Sequence, residues 1–147
     1  MKKVNIISIM ILSMLLFSVA GTAQNNEIND HNYVNKIEVI DFHSTHRCMT
    51  CNAIEANTKY TLEEYFADEL KSGLITFQSI NIDEKENFKL AEKFQATGTS
   101  LYLNVIYDGN EHQVNLTNFA FLKGKDKESF SKELKKKIEK QLKAVVN

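Results

Sequence analysis

Two cysteines stand three positions apart, at the junction between a strand-like segment and a helix-like segment. Cys48 and Cys51 are the only cysteines of this 147-residue chain, so they form either one short bridge or a pair of thiols. A bridge across two intervening residues closes too small a loop to restrain the unfolded chain much. Reactivity therefore explains the pair better than stability does.

The position of the pair at a predicted helix start favours thiolate chemistry. Free backbone N–H groups and the positive end of the helix dipole stabilise a thiolate over a thiol, and the thiolate is the form that attacks disulfides. We expect Cys48 to be the exposed nucleophile and Cys51, one turn into the helix, to resolve the mixed disulfide. Arg47 and His46 are predicted to tune the thiol of Cys48 by stabilising its thiolate.

The N-terminal segment has the pattern of a secretory signal peptide. Two lysines and a short apolar run precede small residues and then a polar stretch. The apolar run is too short to predict a membrane span, although an uncleaved N-terminal anchor stays open as an alternative. We expect residues 1–23 to be removed, residues 24–36 to form a flexible leader, and residues 37–147 to form one domain.

The net charge of the chain and its expected cellular compartment limit the kinds of partner that it can have. Loss of Lys2 and Lys3 with the signal segment would change the formal net charge from −1 to −3, a balance that argues against a nucleic-acid partner. The mature protein is predicted to be exported, either periplasmic or secreted, where disulfides form and persist. A protein dithiol or a protein disulfide is therefore the expected partner.

The hydrophobic pattern predicts the element order β-α-β-α-β-β-α. The strands are predicted over 37–42, 74–82, 101–107 and 112–121, and the helices over 51–71, 84–95 and 126–146. The Asp108-Gly109 step predicts a hairpin between the last two strands. The β-α-β steps need right-handed crossovers and hence parallel pairing. The predicted fold is α/β, a four-stranded mixed sheet with helices on both faces.

The helices carry further local signals. Gly73 is predicted to end the first helix, and Asp83 to cap the second. The apolar residues at helical spacing predict two buried stripes. The second helix is expected to bury Phe88, Ala91 and Phe94, and the last helix Phe130, Leu134, Ile138, Leu142 and Val145.

The element order and the position of the dithiol resemble those of the thioredoxin superfamily. Residues 39–42 resemble the strand that leads to the thioredoxin active site. Residues 81–83 and 91–98 resemble the family's second strand, second helix and following loop, without gaps. The resemblance implies a thioredoxin-like domain with thiol–disulfide oxidoreductase activity, and no cofactor beyond the Cys48–Cys51 disulfide.

More narrowly, the chain resembles a small family of exported bacterial thioredoxin-like proteins. Some of its members carry the label nitrophenyl compound nitroreductase subunit ArsF. The shared hallmark is a His-rich approach to Arg-Cys-x-x-Cys, here His43, His46, Arg47, Cys48 and Cys51. No part of the sequence is typical of a flavin or nicotinamide site.

The chain departs from the thioredoxin pattern at three positions. Arg47 replaces an aromatic residue before the first cysteine. The chain contains no proline, and the ungapped match places Ser100 where the family has a cis-proline facing the dithiol. We expect a trans bond there, because a cis bond before a non-proline residue costs about 3–4 kcal/mol. The family's buried acid lies one position closer to its first cysteine than Asp41 lies to Cys48, which predicts a longer loop.

The resemblance also implies roles outside the dithiol. Asp41 is predicted to be catalytic, as a buried carboxyl that accepts the proton of the Cys51 thiol. The alternative is a strand-end acid that faces solvent or caps a turn. Thr99 and Ser100 are predicted to bind substrate beside the dithiol, and the alternative is that they are ordinary polar loop residues.

Other functional classes stay open at the same residues. His43, His46, Cys48 and Cys51 offer two imidazoles and two thiolates, a possible zinc set, although most structural zinc sites draw on two separated pairs. This alternative is a module that binds zinc, copper or arsenite on a thioredoxin-like scaffold. A further alternative is a non-catalytic accessory subunit whose partner carries out the chemistry.

Overall fold

In the computed structural model, residues 34–146 are described, and they are organised around a four-stranded sheet. The strands are β1, Lys36–His43; β2, Ile75–Asn81; β3, Ser100–Tyr107; and β4, Asn110–Asn115. Their order across the sheet is β2-β1-β3-β4. Strand β1 runs parallel to β2 and antiparallel to β3, and β3 pairs antiparallel with β4. The predicted signal segment and most of the predicted leader lie outside the described residues.

Within residues 34–146, five α-helices and one short 3-10 turn accompany the sheet. The helices are α1, Met49–Tyr65; α2, Ala67–Ser72; α3, Phe88–Lys93; α4, Thr117–Lys123; and α5, Lys127–Val146, and the 3-10 turn is Lys85–Asn87. In this part of the chain, no helix is both long enough and apolar enough to cross a membrane.

Helices cover both faces of the sheet, because alternate residues of each strand point to opposite sides. On one face, Ile37 and Val39 of β1 pack in a core that includes residues of α1 and α5. On the other face, Ile40 and Phe42 pack with residues of α3 and β3. The predicted thioredoxin-like fold class is confirmed. The expected parallel pairing is correct for the first β-α-β step and wrong for the second, because β3 runs antiparallel to β1 and therefore opposite to β2. Asp41, two positions after Val39, lies on the face that α1 covers.

The turn of the hairpin and the last helix agree with the sequence pattern. Asp108 and Gly109 both have positive φ, 50° and 74°, as the tight hairpin turn with a right-handed twist requires. Asp126 accepts the backbone N–H of Ser129 through Oδ1 at 3.0 Å and so caps α5. The predicted stripe of α5 is confirmed at Phe130, Leu134, Ile138 and Val145, which are buried, with Leu142 packed against the core.

The first predicted helix is divided into two. Phe66 leaves the helical conformation, with φ −137° and ψ 31°, and its ring is only 3% exposed. Phe66 packs in the same core cluster as Ile54 and Leu62, on the face that its spacing of four residues from Leu62 also predicts for a continuous helix. Gly73 follows α2 with φ 79°, the left-handed conformation expected of a glycine that ends a helix.

The second predicted helix is shorter than expected, and the capping role of Asp83 is wrong. Asp83 Oδ2 instead accepts the backbone N–H of Thr45 at 2.7 Å, because the loop that leads to the dithiol passes beside it. Phe88 is 53% exposed, so the prediction that it is buried is also wrong. Ala91 and Phe94 are buried as predicted.

The last predicted strand is wrong beyond residue 115. There the side chain of Asn115 accepts the backbone N–H of Thr117 through Oδ1 at 2.9 Å, and the chain continues as α4. Leu116 and Ala120 are both buried. Their spacing of four positions fits the face of a helix, but a short apolar run of this kind is compatible with either structure until its packing is known.

Candidate redox site

Cys48 occupies the N-cap position of α1. Its backbone is extended, with φ −76° and ψ 164°, and its Sγ accepts the backbone N–H of Cys51 at 3.1 Å. An N-cap side chain normally supplies an oxygen atom to one of the free N–H groups of the first turn. Here a sulfur atom takes that place, at the end of the helix where negative charge is stabilised.

Cys48 and Cys51 are joined by a disulfide, with their Cα atoms 5.1 Å apart. The two residues differ in exposure, since Cys48 is exposed whereas Cys51 is only 8% exposed. An attacking cysteine must be reachable by a partner, and a resolving cysteine needs to reach only its neighbour. The arrangement provides one residue suited to each task.

Asp41 is a fully buried acid close to the start of α1. Its exposure is 0%, and burial raises the pKa of Asp41 to about 7 despite the opposing effect of the Arg47 guanidinium. Its Oδ1 atom has no hydrogen-bond partner within the described part of the chain. Asp41 is therefore not the solvent-facing acid that the sequence left open. A carboxyl with this pKa can take up and release a proton near neutral pH.

The side chain of Arg47 turns inward from the loop before the dithiol. Its Nη2 atom donates to Asp41 Oδ2 at 3.1 Å and to the carbonyl oxygen of Cys51 at 3.3 Å. Its Nη1 atom donates to Glu55 Oε2. The sequence pattern placed Arg47 beside the nucleophile, whereas the structure directs its guanidinium to two carboxylates and a helix carbonyl.

Glu55 also lies at the site, although no sequence motif pointed to it. It lies one turn after Cys51 in α1, between Arg47 and Lys59, whose Nζ is 2.6 Å from Glu55 Oε1. Partial burial alone would raise the pKa of Glu55, but hydrogen bonds from Lys59 and Arg47, with the charges of both, lower it to about 2. The sequence feature that could have pointed to Glu55 is the spacing of four residues from Cys51 to Glu55 and from Glu55 to Lys59, which places these side chains on one helix face.

The two histidines of the approach lie close enough to Asp83 to act on its carboxyl. His43 is half-buried, with Nδ1 3.1 Å from the carbonyl oxygen of Ser44, and His46 is exposed. Hydrogen bonds from Thr45 lower the pKa of Asp83, and His46 and His43 act in the same direction.

The alternative metal set consists of His43, His46, Cys48 and Cys51, and its two cysteines are bonded to each other in this structure. Across residues 34–146, no group of three or more His, Cys, Asp and Glu side chains is arranged to hold a metal ion.

Thr99 and Ser100 line a cavity of about 490 Å³ at the start of β3. The Ser100 hydroxyl donates to the carbonyl oxygen of Gly98 at 2.9 Å, and the described backbone has no cis peptide bond, so the expected trans bond before Ser100 is confirmed. The lining is polar and uncharged, and consists of Gln95, Thr97, Gly98, Thr99, Ser100, Tyr102, Asn115, Thr117 and Asn118. Ser100 pairs with Phe42 near the end of β1.

Solved structures similar to this chain include three thioredoxins. The solution structure of a thioredoxin from Thermus thermophilus is 20% identical, with a TM-score of 0.45, and the match covers 69% of this chain and 72% of that one. Oxidised mitochondrial thioredoxin 3 from Saccharomyces cerevisiae is 22% identical, with a TM-score of 0.40 and coverage of 61% and 76%. The thioredoxin of Fasciola hepatica is 21% identical, with a TM-score of 0.38 and coverage of 54% and 66%.

No protein-family model and no curated protein matches the chain. The fold assignment therefore rests on the strand order, the strand directions and the helix positions given above. Together, the fold and the site define a thioredoxin-like domain with a Cys-x-x-Cys disulfide at the start of its first helix.

Proposed function

We propose that this protein is an exported thiol–disulfide oxidoreductase that acts on protein substrates. The observation that carries the proposal is the Cys48–Cys51 disulfide at the N-terminus of α1, with one sulfur at an exposed residue and the other largely buried. A structural bridge needs neither this difference in exposure nor a helix start. Both features serve exchange chemistry, in which a thiolate attacks a disulfide sulfur.

In the reductive direction, the Cys48 thiolate attacks one sulfur of a partner disulfide. A bond forms between Cys48 Sγ and that sulfur, and the other partner sulfur leaves as a thiolate. The N–H of Cys51, which donates to Cys48 Sγ at 3.1 Å, stabilises the attacking thiolate before this step. The exposure of Cys48 gives a folded partner access to the sulfur.

In the second step, Cys51 resolves the mixed disulfide. Its thiol first transfers a proton to the carboxylate of Asp41, and the resulting thiolate attacks Cys48 Sγ. The Cys48–Cys51 bond forms, and the second partner sulfur leaves as a thiolate. The two cysteines lose two electrons in total, and the partner disulfide gains them. The raised pKa of Asp41, about 7, suits a group that accepts this proton near neutral pH.

The direction of net reaction depends on the reduction potential of the pair. The N-cap hydrogen bond to Cys48 Sγ and the helix dipole stabilise the thiolate form. Stabilising the reduced form makes a dithiol more oxidising. These interactions favour the donation of disulfides to exported partners.

The partner surface and the cellular site are further parts of the proposal. We propose that Thr99 and Ser100, on the wall of the uncharged cavity at the start of β3, contact the substrate. The His-rich approach to the dithiol supports placing the chain with the exported bacterial thioredoxin-like proteins that carry the ArsF label. Export, with a periplasmic or secreted location, follows from the signal-like pattern of residues 1–23.

The test is the reduction potential of the Cys48–Cys51 pair. Metal-free protein would be equilibrated in graded glutathione buffers, and its free thiols would then be trapped by alkylation and counted by mass. A reversible two-electron transition is expected, and a midpoint nearer roughly −120 mV than roughly −270 mV would place the pair with oxidants. If no disulfide forms across the range, the proposal fails and metal or partner binding becomes the better account.

A further inference from the structure

One nitrogen atom of Arg47 joins the buried acid to the helix that holds the resolving cysteine. Nη2 lies 3.1 Å from Asp41 Oδ2 and 3.3 Å from the carbonyl oxygen of Cys51. The other terminal nitrogen, Nη1, donates to Glu55, and only 17% of the Arg47 side chain is exposed. Asp41 and Cys51 thus hold one terminal nitrogen of the guanidinium, and Glu55 holds the other.

We propose that Arg47 is a positioning residue for the resolving step: anchored by Glu55, it favours the ionised form of the Asp41 carboxyl and keeps that carboxyl close to Cys51. This inference rests on the proposed oxidoreductase function. It differs from the simpler expectation that a basic residue next to the first cysteine tunes that cysteine. The hydrogen bonds of Arg47 to described residues go to Asp41, Cys51 and Glu55, and none goes to Cys48.

The surroundings of Asp41 explain why such a residue is needed. Its neighbours across the sheet are the uncharged residues Ser79 and Leu101, and the buried residues of α5, which covers the same face, are also uncharged. Burial without compensation would keep the carboxyl protonated, and a protonated carboxyl cannot accept a proton from a thiol. The described charges that act on it are Arg47 and Lys59, which favour the ionised form, and Glu55, which opposes it.

Glu55 therefore acts indirectly. Its own negative charge disfavours ionisation of Asp41, yet it anchors the guanidinium that does the opposite. Lys59, 2.6 Å from Glu55 and with its side chain 49% exposed, neutralises part of that charge. The result is a chain of alternating charges, Asp41–Arg47–Glu55–Lys59, which begins at a buried acid and ends in solvent.

The two chemical steps can be measured separately with dithiobis(nitrobenzoate), an aromatic disulfide that releases one coloured thiolate at each step. Attack by Cys48 releases the first, and attack by Cys51 on the mixed disulfide releases the second. Both rates would be followed by stopped-flow absorbance against pH in the reduced full-length protein. The Cys51→Ser variant, which can give only the first release, calibrates the assignment.

The decisive variant is Arg47→Gln. Because loss of the guanidinium raises the pKa of Asp41 further, the pH midpoint of the second release should move upward. A shift of one pH unit corresponds to about a tenfold slower second release on the low-pH side of the profile. The first release should stay within about twofold of the parent protein. Arg47→Lys keeps the positive charge but lacks the paired N–H donors of the guanidinium. The second release should therefore be faster in this variant than in Arg47→Gln.

A matched control removes a positive charge elsewhere. Lys89 is an exposed residue of α3, on the opposite face of the sheet, and Lys89→Gln should change neither release. If Arg47→Gln shifts the first release instead, or shifts neither, the positioning role is wrong. If the parent protein gives no second release at all, the proposed oxidoreductase function fails whatever Arg47 does.

Discussion

The sulfur atom of Cys48 accepts the backbone N–H of Cys51 at 3.1 Å, so the proposed nucleophile caps the helix that carries its resolving partner. The same N–H group is available to a thiolate when the disulfide opens. A charged sulfur accepts a stronger hydrogen bond than a neutral one. The hydrogen bond that caps the helix therefore also stabilises the reactive thiolate.

Single cysteine substitutions should separate the two roles. Cys51→Ser leaves the exposed nucleophile without a resolving partner, so it should accumulate a stable mixed disulfide with glutathione disulfide. Cys48→Ser should form far less, because Cys51 is only 8% exposed. Intact mass under non-reducing conditions would measure both adducts. Equal adduct formation by the two variants would contradict the assignment of nucleophile and resolving residue.

Asp41→Asn should stabilise the protein at alkaline pH. Since burial raises the folded-state pKa of Asp41 from 3.8 to about 7, its contribution to stability is fully present below pH 4 and is lost as the pH rises through about 7. Asparagine does not ionise, so the variant does not lose stability over this pH range. Its free energy of unfolding should match that of the parent near pH 4 and exceed it by up to about 4 kcal/mol at pH 8.

Urea unfolding at several pH values would measure this difference. Glu55, whose pKa is lowered to about 2, loses its stabilising effect only as the pH falls below the ordinary range of a glutamate, so it does not disturb the window from pH 5 to 8. Asp68→Asn, at an exposed position in the first turn of α2, is the matched control. A pH-independent gain in the Asp41 variant would contradict the raised pKa.

Gly124→Ala should destabilise the packing of the α4–α5 connection on α1. A Cβ atom at Gly124 would lie 2.7 Å from the carbonyl oxygen of Ala120 and 3.0 Å from Ile54 Cγ1. The backbone there is right-handed, with φ −55°, so the cost is steric, about 1–3 kcal/mol. Thermal or urea unfolding would measure it.

Gly98→Ala is the control for that prediction. A Cβ atom at Gly98 meets no other atom within 4 Å, so its effect should stay within about 0.5 kcal/mol. Equal losses in the two variants would show that the loss of a glycine, rather than the close contact, determines the result.

Asn57→Ala should remove a buried link between α1 and the same connection. The Nδ2 atom of Asn57 donates to the carbonyl oxygen of Gly124 at 2.9 Å, and the residue is 8% exposed. Leaving that carbonyl without its donor should cost about 1–3 kcal/mol. Asn52→Ala, at an exposed position of the same helix, should be neutral or slightly stabilising because alanine favours a helix.

Features that depend on neighbours along the chain could be predicted from the amino-acid order. Asp108-Gly109 forms the hairpin turn because its two residues tolerate positive φ. The stripe of α5 is buried because its spacing follows the helical period. The pattern of a strand precedes Cys48 and the pattern of a helix follows it, so the sequence places Cys48 at a helix start. These signals were sufficient for the fold class and for the position of the dithiol.

The remaining features depend on how the helices, strands and loops pack against one another, and only the tertiary structure decides them. The chain leaves the helical conformation at Phe66 although the spacing from Leu62 continues the helical period, and the run that contains Leu116 and Ala120 becomes a helix because it packs against the core. The Arg47 guanidinium donates to Asp41 in β1 and to Glu55 in α1, because the folded loop before α1 places it between these two carboxylates. Hydrophobic period and turn chemistry act locally, whereas the direction of a charged side chain is set by whichever opposite charges the folded chain brings within reach.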